Sequence, residues 1–82
     1  MLYIATCNSN GYSDAYPKRY LAGCVVGDNC RNYKTMTNAM YACNAANCGG
    51  ITKTGENHWQ IRKGSVPKES SHETSYVKCS GN

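Results

Sequence analysis

The chain has no phenylalanine, one tryptophan and two prolines among its 82 residues. Its large aliphatics are few: two leucines, three isoleucines and four valines. A chain of this length buries only roughly 60–65% of its unfolded surface. So small an apolar payload needs covalent support, and more than one domain is excluded. No apolar run approaches the ~18 residues needed to span a membrane, so membrane insertion is not expected. Met1–Thr6 is too short for the apolar region of a signal peptide and lacks a basic start. No Asn-x-Ser/Thr sequon occurs, so N-glycosylation is not expected.

Charge of one sign is also scarce. Nine basic and five acidic residues leave a net charge of +4. The basic residues are scattered, and the longest basic runs are pairs, Lys18-Arg19 and Arg62-Lys63. No nucleic-acid partner is expected from such a pattern. Mild basicity keeps a surface solvated, and it can favour approach to acidic glycans.

What is abundant is cysteine. Cys7, Cys24, Cys30, Cys43, Cys48 and Cys79 form an even set at high density in a short chain. That pattern reads as a disulfide framework and implies an oxidising, secreted or extracellular setting. Zinc would want short paired spacings such as C-x-x-C, and none occurs. His58 and His72 are isolated, so neither a metal nor another cofactor is expected.

One helix stands out. Thr35 or Thr37 supplies an N-cap hydroxyl. Met36, Ala39, Met40 and Cys43 then follow at helical spacing and draw one apolar stripe. Asn47 and Gly49-Gly50 end the helix, giving a span of about Thr37 to Ala46. Alone it is too short to be stable, so it must lie on a sheet. Strands are predicted at Leu2–Thr6, Tyr20–Val26, Gly50–Thr54, His58–Lys63 and Tyr76–Cys79. Gly55-Glu56-Asn57 marks a hairpin turn. The segments Asn8–Arg19 and Gly64–Thr74 each hold a proline and several polar residues, and read as irregular loops. The expected fold is α+β: a small disulfide-rich domain over residues 1–82, with one short α-helix packed on a curved antiparallel β-sheet.

Alternation in the hairpin puts Trp59 and Ile61 on one side, as a floor for the helix stripe. His58, Gln60 and Arg62 then face solvent beside Thr52 and Thr54. That row reads either as an ordinary wet sheet face or as a ligand face.

Catalytic machinery is not evident. The five acids, Asp14, Asp28, Glu56, Glu69 and Glu73, are dispersed. Ser70-Ser71-His72-Glu73 has the residue types of a triad, but adjacent side chains diverge, so loop solvation is the better reading. No enzyme is expected.

Binding fits the composition better. Sugar sites need an aromatic face for the apolar side of a ring, and oriented polar groups for its hydroxyls. Seven tyrosines and many asparagines are available. Tyr12, Asp14, Tyr16, Arg19 and Tyr20 crowd one segment, together with Lys18. These and the row His58, Gln60 and Arg62 are the candidate ligand-binding residues. The competing reading makes the tyrosines structural, and Tyr3, Tyr41 and Tyr76 are expected to be so. Trp59 is expected in the core.

From Thr35 to Gly50 the chain carries a short Cys-bearing helix that runs into a Cys-led strand. Ile51-Thr52 follows, then the hairpin His58-Trp59-Gln60-Ile61-Arg62-Lys63-Gly64, and the end Glu73-Thr74-Ser75-Tyr76-Val77-Lys78-Cys79. Over Tyr20 to Cys79 this resembles the PAN/apple superfamily, particularly its divergent invertebrate extracellular members. The resemblance implies a helix cradled by a curved antiparallel sheet, with the chain ends close together. It implies the pairs Cys7–Cys79, Cys43–Cys48 and Cys24–Cys30. It also implies a non-catalytic extracellular module that binds proteins or carbohydrates. One departure is clear. Family members usually carry a second helix cysteine bridged to a central strand; here that position is Ala39, and His58–Lys63 contains no cysteine.

Three functions follow as expectations. The first is a small secreted lectin for galactose-type or acidic glycans or glycoproteins, as a homo-oligomer for avidity. The second is an adhesion or protein-interaction module of a matrix or cell-surface protein. A toxin or inhibitor ranks last, since those scaffolds are usually shorter.

Overall fold

The computed structural model describes residues 7–79. The expected strand Leu2–Thr6, and Tyr3 within it, lie outside the described residues. The elements are β1 (Tyr16–Tyr20), α1 (Met36–Ala46), β2 (Gly50–Gly55), β3 (His58–Arg62) and β4 (Lys68–Val77). The four strands form one antiparallel sheet in the order β1-β4-β2-β3.

Thr35 is the N-cap of α1, and its Oγ1 accepts from the Asn38 N–H at 3.1 Å. At the other end Asn47 adopts the left-handed conformation, φ 55°, and its N–H returns to the Cys43 carbonyl. Ala39 and Cys43 are buried. They pack with Tyr12, Cys48, Ile51 and Ile61, and Met36, Met40 and Trp59 close the margin. The helix lies over β2 and β3. Ile51 pairs with Ile61 on one side and Tyr76 on the other, so that row supplies the floor. Trp59 is half-buried at the edge of this core, with its ring 6.0 Å from that of Tyr76. Tyr41 departs from expectation: it is 73% exposed, because it falls off the apolar stripe of α1.

All six cysteines are paired, as Cys7–Cys79, Cys24–Cys30 and Cys43–Cys48. Cys7–Cys79 ties together residues 72 positions apart. Cys43–Cys48 joins the end of α1 to the lead-in of β2.

Two segments read as loops contain strand, over most of one and at the end of the other. β4 occupies most of Gly64–Thr74, and β1 falls within Asn8–Arg19 but for its last residue. In β4, Lys68, Glu69 and Thr74 are held by the ladder with β1, and Thr74 also pairs with Lys53 of β2, so the chain stays extended across Ser70–Glu73, which has no partner in β1. Pro17 is tolerated because β1 is an edge strand. Conversely, the expected strand Tyr20–Val26 ends at once. From Leu21 the chain leaves β1 and crosses the sheet face away from α1, and Cys24 bridges to Arg62.

This crossing buries what was expected to be a wet face. Leu21, Thr52 and Ser75 are fully buried. Ser75 Oγ donates to the Arg19 carbonyl at 2.9 Å, so its only proton is committed. Thr52 Oγ1 lies 2.8 Å from Ser75 Oγ and must therefore be the donor. Thr52 Oγ1 in turn accepts from the Leu21 N–H at 3.0 Å. Thr52→Val keeps the shape but strands a buried N–H. It is expected to lower stability by about 1–3 kcal/mol in urea unfolding. No change would mean that water replaces the hydroxyl.

Candidate functional site

The candidate binding residues divide into three groups. Tyr12 is withdrawn from any ligand: it is fully buried in the core against Cys43 and Ile51. Its position follows from the bridge to Lys78, which draws the segment before β1 onto the helix side. Its hydroxyl donates to Asn44 Oδ1 at 2.8 Å. Burial pushes the Tyr12 pKa up to about 12. The folded state thus holds this proton more tightly than the unfolded chain. Stability is full below the ordinary tyrosine range and falls as pH rises from about 10 towards about 12. Tyr33 adds to the same trend, raised by burial and by its bond to Asp28. Urea unfolding between these limits is expected to lose about 1.4 kcal/mol per pH unit for Tyr12. Tyr12→Phe is expected to flatten that slope; an unchanged slope would assign it elsewhere.

A second group is engaged within the protein. Gln60 and Arg62 were expected to face solvent, but both are half-buried under the crossing segment. Arg62 Nη1 donates to the Leu21 carbonyl at 2.7 Å and Nη2 to Gln60 Oε1 at 2.7 Å. Gln60 Nε2 donates to Asn32 Oδ1 at 2.8 Å. The Glu73 carboxylate lies 3.9 Å from Arg62 Nη2. Burial pulls the Arg62 pKa down, opposed by Glu73 and Tyr20, but an arginine stays charged throughout. Arg62 is a brace between the sheet and the crossing segment. His58 is exposed at the start of β3, apart from this cluster.

The third group lies along and just before β1, and of it Arg19 alone lines an open groove. Asp14 is exposed and accepts from Asn8 Nδ2 at 2.9 Å. Tyr16 and Tyr20 are half-buried at the two ends of β1. Between those ends the ladder is broken. Pro17 pairs with Thr74 and Arg19 with Glu69. Lys18 alone therefore stands opposite Ser70–Glu73. The mismatch opens a groove of about 400 Å³, lined by Lys18, Arg19, Glu69, Ser70 and Ser71.

The bulge holds its shape by internal hydrogen bonds. Ser70 Oγ accepts from the backbone N–H of Glu73 at 3.2 Å and donates to Glu73 Oε1 at 2.8 Å. Ser71 Oγ lies 2.9 Å from His72 Nδ1. Glu73 therefore serves Ser70 and Arg62, and its carboxylate is not bonded to His72. Among the described residues, no group of three or more His, Cys, Asp or Glu side chains is placed to hold a metal ion.

Glu69, Ser70 and Ser71 are not among the binding residues that the sequence suggests, and Lys18 enters there only as a neighbour of Arg19. The basic pair and the serine pair are visible in the sequence. What brings them together is the broken register, and strand alternation gives no sign of that.

No protein-family model, curated protein or solved structure matches the chain.

Proposed function

We propose that the protein is a non-catalytic, extracellular carbohydrate-binding module of PAN/apple-like type. The observation that carries this reading is the groove between β1 and β4. Two basic side chains, one acid and the Ser71 hydroxyl line it with hydrogen-bonding groups, and Ser70 shapes its wall. Its volume falls in the range of small-molecule sites, roughly 300–1,000 Å³. Such a wall suits a polyhydroxylated ligand better than an apolar one. Three disulfides are compatible with a secreted protein. An oligomer would raise avidity for clustered sugars.

The test is a glycan array probed with the oxidised protein, beside a reduced and alkylated control. Binding to a coherent set of sugars, lost on reduction, is the expected result. A blank array at high protein concentration would remove the lectin reading.

A protein-interaction module is the second reading, and exposed apolar side chains outside the groove favour it. Val26 is 91% and Val66 55% exposed. Val25, Val26, Ala46 and Lys63 also border a cavity of about 230 Å³. A module of this kind would ignore sugars and sediment as a monomer.

A further inference from the structure

We infer that the β1–β4 groove takes an oxyanion, a sulfate ester or carboxylate carried on a saccharide. The inference rests on the carbohydrate reading and names the class of sugar.

In a regular strand, consecutive side chains point to opposite faces. Lys18 and Arg19 are consecutive in β1, yet both line the groove. Ser70 and Ser71 are consecutive in β4 and do the same. The cause is the pair of facing irregularities. Lys18 adopts φ 55°, a left-handed conformation that a lysine enters at a cost of roughly 1–2 kcal/mol. Across from it Ser70–Glu73 bulges out of register. Bulges re-aim side chains in this way. Here they turn two cations towards one space.

The charges there are not internally cancelled. Among the described residues, the ion pair within 4.0 Å is that of Arg62 with Glu73. Glu73 is thus partnered by Arg62, and its other oxygen accepts from the Ser70 hydroxyl at 2.8 Å. Lys18 and Arg19 share the groove with Glu69 alone, which leaves an excess of one positive charge. Arg19 Nη1 donates to the Lys18 carbonyl at 2.9 Å. That bond orients the guanidinium and leaves its other N–H groups for a ligand. A planar fork beside a compact ammonium fits an oxyanion, with Arg19 binding in two-point fashion and Lys18 adding a point charge. The Ser70 hydroxyl is fully used within the bulge, so it shapes the wall and does not bind.

The experiment uses the oxidised full chain and three oligosaccharides sharing one backbone: neutral, sulfated and carboxylated. Calorimetry is expected to show at least about tenfold tighter binding of an anionic form, a difference of about 1.4 kcal/mol. The preference should shrink as salt rises. Lys18→Gln and Arg19→Gln should each reduce it, and Arg19→Lys should restore it in part. Whichever anionic sugar binds more tightly identifies the source of the oxyanion. In parallel, inorganic sulfate is titrated into ¹⁵N-labelled protein, and shifts are expected at residues 18–19 and 69–71. An unchanged amide spectrum elsewhere shows that the variants fold. Equal binding of neutral and anionic sugars would overturn the inference and leave the lectin reading standing. Sulfate shifts in the groove with no sugar bound would keep the anion site and remove the carbohydrate reading. Shifts centred outside residues 18–19 and 69–71 would overturn the site itself.

Discussion

Gly49→Ala is expected to prevent folding or to lower stability by more than about 3 kcal/mol. A Cβ at this position would lie well under 3.0 Å from the backbone oxygens of both Lys63 and Gly64. Neither side can retreat. The Gly49 N–H donates to the Arg62 carbonyl at 2.8 Å, and the Gly49 carbonyl accepts from Lys78 at 3.0 Å. Gly64 is held in turn by its N–H to the Ala22 carbonyl at 2.8 Å. One methyl group would therefore pry apart the lead-in to β2, the exit of β3 and the crossing segment together. Gly27→Ala is the control. Gly27 has φ 90° but nothing within 4 Å of an added Cβ, so its penalty is conformational, about 1–2 kcal/mol. Urea midpoints of the two variants check the claim. A Gly49 variant as stable as the Gly27 variant would show that the backbone yields at this junction.

The Cys7–Cys79 bond is expected to be the largest single covalent contribution. It closes a loop of 72 residues in separation, against 6 for Cys24–Cys30. In the chain-entropy account the wide loop stabilises by about 4 kcal/mol and the narrow one by about 2. The pair also makes a clean test. Cys7 is exposed and Cys79 half-buried, so serine at both positions strands little buried polar surface. Cys24–Cys30 is similarly placed. The double variant Cys7→Ser/Cys79→Ser should thus lose about 2 kcal/mol more than Cys24→Ser/Cys30→Ser in urea unfolding. For a small domain, whose total stability is on the order of 5 kcal/mol, that separates a folded from a largely unfolded protein. Equal losses would mean that local geometry, and not loop closure, governs these bonds.

The groove bears on the same balance. Lys18 sits in an unfavourable conformation on an edge strand, and Ser70–Glu73 is unpaired with β1. Neither feature helps the fold. Both are explained if the groove has a ligand, as proposed above.

Much of the architecture was legible in the chain. The helix stripe of Met36, Ala39, Met40 and Cys43 packs on the core, because its period matches a helix and its cap is local. The hairpin of β2 and β3 follows from Gly55-Glu56-Asn57, and the cysteine count implied the oxidised framework. Gly49-Gly50 was visible too, but for the wrong reason. Asn47 supplies the left-handed cap; the glycines are there because other backbone passes too close for a side chain.

The binding residues were less legible. Tyr12 and Tyr20 look alike as neighbours of polar residues, yet one is core and the other half-buried on β1. Gln60 and Arg62 look like solvent-facing polar groups until Leu21 crosses above them. Composition, period, capping and cysteine density act over a few residues or over the whole chain, and these determine the class of fold. Which face is wet, which tyrosine is buried and which charges share a groove depend on contacts between distant segments. Arg19 meets Ser75 across 56 residues and Arg62 meets Leu21 across 41. Register and crossing are settled by the sum of such contacts, so only the tertiary structure decided them.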